Sequence, residues 1–127
     1  MDANIPVVMN TKQELPVPTA WRDVLSLIVE RIISKDFEFS KACPAVSDIL
    51  DEDKSRFIWN IEEYGGALVK PTEQSWGVSF YMYMQIYWIV WVYLPTTEEN
   101  PSDLVMFVRV YEDGGSYRFD VASVHVP

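Results

Sequence analysis

A chain of 127 residues is long enough for one domain with a single core and too short for two. Its 19 acidic against 10 basic residues leave a formal charge of −9, which repels nucleic-acid phosphates and anionic lipid and favours basic partners. One cysteine, Cys43, excludes an internal disulfide, and the opening Met-Asp-Ala-Asn-Ile-Pro shows neither the basic nor the long apolar part of a secretion signal, so a reducing, cytoplasmic setting is expected.

Residues 1–18, with Pro6, Pro16 and Pro18, read as an extended arm ahead of a single domain over 19–127, and Val7, Val8 and Met9 offer a short edge strand within that arm. Thr19 is placed to cap a helix, behind which Trp21, Val24, Leu25, Ile28, Val29, Ile32 and Ile33 recur at helical spacing while Arg22, Asp23, Glu30 and Arg31 fall toward water. Cys43-Pro44 marks a turn. A second helix is expected beyond it, with Asp48, Asp51, Glu52 and Asp53 crowding its positive end, Phe57, Ile58 and Ile61 on its buried side, and Gly65-Gly66 ending it.

From Ala67 the period changes to two. Leu68 and Val69 suggest a short strand before Pro71. Ser75 to Leu94 carries no charged residue, but Tyr81, Tyr83, Tyr87 and Trp88 lie at its middle rather than its ends, which fits strands better than a membrane span. Trp76, Val78, Phe80 and Met82 alternate as the buried face of one strand, and Ile86, Trp88, Val90, Val92 and Leu94 as that of the next. The connection at Met84-Gln85 lacks glycine and proline. Past the polar loop Pro95 to Pro101, Leu104, Met106, Val108 and Val110 form a third strand. Asp113-Gly114-Gly115-Ser116 is a hairpin turn into a last strand at Tyr117, Phe119 and Val121, with Val124 and Val126 as its extension. The expected fold is α+β: two N-terminal helices packed on a curved antiparallel sheet of four or more strands, with Trp21, Leu25, Ile28, Ile32, Trp76, Trp88 and Val90 in the core.

Counting removes several chemistries. His125 is the only histidine, which rules out a Cys/His zinc site, and a Cys43–His125 nucleophile pair is less expected than a small buried cysteine. No glycine-rich phosphate loop is present, and Asp48, Asp51, Glu52 and Asp53 lack the spacing of a calcium loop. No metal, cofactor or catalytic residue is therefore assigned, and a role as an enzyme is disfavoured. The helices can cover one face of the sheet, yet Tyr87, Ile89, Trp91, Tyr93, Val105, Phe107 and Tyr111 make its other face apolar as well. The arm, a second copy in a homodimer, a ligand or a foreign protein would each cover it. Between Pro71 and Val108 there is no lysine or arginine, while Glu73, Glu98, Glu99 and Asp103 all fall there. The candidate partner-binding set is thus Glu73, Tyr87, Trp91, Tyr93, Glu98, Glu99, Asp103, Phe107 and Tyr111. It leads to an acidic cytoplasmic binding protein, an immunity or antitoxin-like inhibitor of a basic toxin domain, with neither nucleic acid nor membrane as partner. The alternative is a small-molecule pocket, binding or enzymatic, lined by Tyr87, Trp91, Tyr93, Phe107 and Tyr111 inside a cone, with Asp120 or a buried glutamate as base.

Trp88-Ile-Val-Trp-Val-Tyr-Leu-Pro-Thr-Thr-Glu-Glu-Asn-Pro-Ser-Asp-Leu104 and the ending Val124-His-Val-Pro127 resemble an uncharacterised family of small bacterial proteins, a likeness that runs from about Trp21 to the end and implies no activity. More distantly, Ile28-Val-Glu-Arg-Ile-Ile-Ser-Lys-Asp-Phe37 and Gly115-Ser-Tyr-Arg-Phe-Asp120 resemble the opening helix and closing strand of the nuclear-transport-factor-2-like cone fold. Enzymes of that fold commonly place His and Asp inside the cone, and this chain has no interior His to offer.

Overall fold

In the computed structural model, which describes residues 5–9 and 13–127, the helical stripe forms α1 (Thr19–Ile33) with Trp21, Leu25, Ile28, Val29 and Ile32 buried. Two details differ from expectation. Pro18 occupies the cap position, because the Thr19 hydroxyl accepts the Ile5 amide at 2.8 Å, and Ile33 falls on the exposed side of the last turn. The second helix, α2 (Asp51–Tyr64), carries Asp51, Glu52 and Asp53 in its first turn and buries Phe57, and Gly65 at φ +81° ends it where a side chain would be strained. Asp48 stays outside α2 and accepts the Ser40 amide at 2.8 Å.

Five strands, β1 (Leu15–Pro16), β2 (Phe80–Tyr83), β3 (Trp88–Tyr93), β4 (Val105–Asp113) and β5 (Ser116–His125), form an antiparallel meander in that order. The edge strand is Leu15–Pro16 rather than Val7–Met9. At the far edge, Phe119 of β5 exchanges backbone hydrogen bonds with Ala45 and Ser47, so that edge is partly capped. Strand β4 pairs with β5 across a shift that skips Ala122, which lets Val121 and Val124 both point into the core. Leu68 contributes one bridge, to Thr96, rather than a strand.

The run from Ser75 corrects the expected register. Thr72 and Ser75 form a reciprocal cap, each side-chain oxygen accepting the other's amide at 3.2 and 2.8 Å, and this starts a third helix, α3 (Glu73–Val78), which follows α2 in the chain and directly precedes β2. Trp76 is consequently half-buried beneath the Arg22 guanidinium, 5.2 Å away, instead of inside a strand, and Val78 is exposed. Strand pairing begins only at Phe80, with Tyr81 facing inward and Phe80 and Met82 on the other face. Gln85 adopts φ +77° in the two-residue turn that follows, leaving Ile86 81 % exposed at its tip rather than in the core.

Trp21 sits at the centre of the core, its ring 5.4–6.2 Å from those of Tyr81, Trp88, Tyr117 and Phe119 in edge-on contacts. The arm crosses this same, helix-covered side. The Tyr81 hydroxyl accepts the Val8 amide at 2.6 Å and donates to the Pro6 carbonyl at 3.2 Å, while Trp88 Nε1 donates to the Val8 carbonyl at 3.1 Å. The expected arm also includes residues 1–4 and 10–12, which lie outside the described residues. No helix among the described residues is long and apolar enough to cross a membrane.

Tyr81→Phe should cost about 1 kcal/mol in a denaturant titration at neutral pH, because it removes the hydroxyl that ties the arm down. Burial, partly offset by the hydrogen bond from Val8, pushes the Tyr81 phenol above its ordinary 10.0. The folded state thus holds the neutral form while the unfolded chain ionises. The wild type should lose stability as pH climbs above the ordinary value, and the Tyr81→Phe curve should be flatter over that window.

Candidate interaction surface

Strand pairing sets Phe80, Trp91 and Phe107 directly opposite one another across β2, β3 and β4, on the face turned away from α1. Phe80 stacks on Trp91 at 4.9 Å, Trp91 meets Phe107 edge-on at 4.8 Å, and Phe107 stacks on His125 at 4.5 Å with the rings 15° apart. Near the other end of the strands Tyr87 packs on Tyr111 at 5.5 Å, with Arg109 over Tyr87 and Arg118 over Tyr111. Every one of these aromatic rings except exposed His125 is half-buried, supported by its neighbours along the sheet. All five aromatic candidates, Tyr87, Trp91, Tyr93, Phe107 and Tyr111, therefore share one face.

The acidic candidates gather at one end of that sheet, beyond Tyr93 and Val105. Thr96 Oγ1 accepts the Glu98 and Glu99 amides at 3.2 and 3.0 Å, which shapes the β3–β4 loop. The Tyr64 hydroxyl at the end of α2 donates to Glu99 Oε1 at 2.5 Å and accepts the Asp103 amide at 3.1 Å. Thr72 Oγ1 donates to Asn100 Oδ1 at 2.6 Å, which brings the start of α3, and with it Glu73, to the same loop. Among the described residues the ion pairs engage Glu30, Glu38, Asp51, Asp53, Glu62 and Asp120 rather than Glu73, Glu98, Glu99 or Asp103. None of these four carboxylates forms an ion pair among the described residues, and of the four Glu99 accepts the Tyr64 hydroxyl.

Other candidates are scattered. Cys43 packs against the core, whereas His125 lies on the aromatic face with Nδ1 2.9 Å from Ser123 Oγ. The Ser40 amide holds the Asp48 carboxyl below the usual range, and Lys54 does the same for Asp51. Among the described residues no group of three or more His, Cys, Asp or Glu side chains could hold a metal ion. Asp120 lies on the aromatic face in register with Arg109, its Oδ1 buried without a hydrogen bond and 3.7 Å from Arg118 Nε. A cavity of about 190 Å³ opens between α1 and α2 beside Ile32, Phe37 and Ile58, and a groove of about 560 Å³ runs beside β1 and α3. The five aromatic candidates line neither.

Three parts of this surface escape the sequence reading. Phe80 joins it because the Thr72–Ser75 cap shifts the strand start, and His125 joins it because the β5 bulge turns the strand. Trp59, 62 % exposed on α2, lies off the Phe57, Ile58 and Ile61 stripe, and that offset was the available signal.

Among the described residues, three α-helices with a five-stranded antiparallel meander define an α+β domain. Within that class the chain belongs to the family described as Domain of unknown function (DUF7668), whose model matches residues 29–127, from within α1 through the last strand. Comparison with curated proteins and with solved structures gives no significant match.

Proposed function

We propose that this is an acidic cytoplasmic binding protein that captures a basic protein on its open aromatic face and acidic end, as an immunity or antitoxin-like inhibitor captures a toxin domain. The observation that carries the reading is the ladder Phe80, Trp91, Phe107 and His125, which the fold builds and over which no helix of the described residues packs. Aromatic rings on a rigid sheet supply anchors at low entropic cost, and an unpaired acidic rim supplies steering and register. A domain that cleaves or modifies nucleic acid needs a basic groove, and an acidic protein of charge −9 would meet that groove quickly and occupy it.

The test is association with the product of the adjacent reading frame in the source genome, comparing wild type with Glu98→Lys/Glu99→Lys at low and high salt. At low ionic strength the double reversal should slow association about tenfold. The difference should vanish as the Debye length falls from about 30 Å at 0.01 M to about 3 Å at 1 M. Equal rates in all four conditions would show that the loop steers nothing, and no association with that product would remove support for inhibition.

A further inference from the structure

We propose that the groove between the C-terminal half of α2 and the end of β5 is an anchor site for an arginine side chain of the partner, held between the exposed Trp59 ring and the carboxylates around Tyr64. The inference rests on the basic-partner reading above and names the group that this surface takes. The groove, about 260 Å³, is lined by Trp59, Asn60, Glu63, Tyr64, Leu104, His125 and Val126, and among the described residues no lysine or arginine stands in its wall. Trp59 is 62 % exposed, although burying so large a ring is ordinarily among the most favourable things a fold can do with it.

Four arginines of this chain, Arg22, Arg56, Arg109 and Arg118, lie over the rings of Trp76, Phe57, Tyr87 and Tyr111. None of them lies over Trp59, and indole is the ring that holds a cation best. Glu63 stands in the groove wall, and Tyr64 is fixed by its hydrogen bonds to Glu99 Oε1 and the Asp103 amide, which set two further acidic residues beside it. A planar, weakly hydrated guanidinium can stack on the indole while its edge donates to carboxylates, which a compact ammonium cannot do. His125 lines the groove and stacks on Phe107, so the site continues the aromatic ladder and one partner can span both.

The probes are hexa-arginine and hexa-lysine peptides at matched ionic strength, titrated into the full chain while the tryptophan indole N–H signals are followed by NMR, with Trp59→Phe assigning the signal. Hexa-arginine should move the Trp59 indole signal and bind several-fold more tightly than hexa-lysine. Trp59→Ala should abolish that preference, Glu63→Gln should weaken both peptides, and Trp91→Ala should leave the preference intact. An unmoved Trp59 signal, equal binding of the two peptides, or a preference that survives Trp59→Ala would each overturn the assignment. Should Trp59→Ala fail to fold, the wild-type indole shift and the peptide ratio still decide. The peptides need no natural partner, so arginine preference without association with the neighbouring product would defeat only the inhibitor reading. Association through the sheet face without arginine preference would defeat only the groove.

Discussion

Trp88→Ala should lower the free energy of unfolding by about 3–5 kcal/mol. The side chain is 2 % exposed and touches the rings of Trp21 at 5.6 Å, Tyr83 at 5.1 Å and Tyr117 at 5.9 Å. Truncation would leave a cavity among rings that edge-on packing holds in place, and would leave the Val8 carbonyl without its indole donor. Trp21→Ala should cost a similar amount. Because the two rings touch, the double variant should lose less than the sum, with a coupling of about 0.5–3 kcal/mol in a double-mutant cycle. A denaturant midpoint that Trp88→Ala leaves in place would take β3 out of the core.

Trp91→Ala/Phe107→Ala should show the opposite balance. These rings stand on the uncovered face and are half-buried by one another, so their removal forfeits cross-strand contacts worth about 1 kcal/mol each rather than a core. Affinity for the proposed basic partner should fall by at least about 2 kcal/mol, roughly thirtyfold, because truncating central aromatic anchors is where interface energy concentrates. Unfolding midpoints and dissociation constants, measured on the same preparations, separate the two effects. A stability loss like that of Trp88→Ala would mean that the face is part of the folded core.

How far the sequence predicts these features follows from which forces set each one. The α1 stripe and the Trp88, Val90 and Val92 alternation are legible because one burial pattern decides each of them over several residues. Hairpin closure at Asp113-Gly114-Gly115-Ser116 is legible because positive φ at Gly114 and Gly115 is a local demand. The start of β2 is not, because the apolar alternation from Trp76 is equally compatible with a strand, and a two-oxygen cap at Thr72 and Ser75 tips it into a helix. That single choice moves Phe80 from the core to the open face and Tyr81 the other way, since a one-residue change of phase exchanges the faces. The acidic residues are visible as a charge pattern, yet their gathering at one end depends on Tyr64 and Thr72 reaching across from distant segments. Trp59 is legible only as a ring off the Phe57, Ile58 and Ile61 stripe, and that it lines a groove with His125 depends on how α2 lies against β5.

Hydroxyl-radical footprinting of the chain, free and with the product of the adjacent reading frame as the proposed partner, tests the central claim most directly by reporting side-chain access residue by residue. Trp91 and Phe107 should oxidise readily in the free protein and become protected in the complex, while buried Trp21 and Trp88 stay unreactive in both. Trp91 and Phe107 already shielded in the free chain, or equally reactive with and without the partner, would contradict a docking face on this side of the sheet.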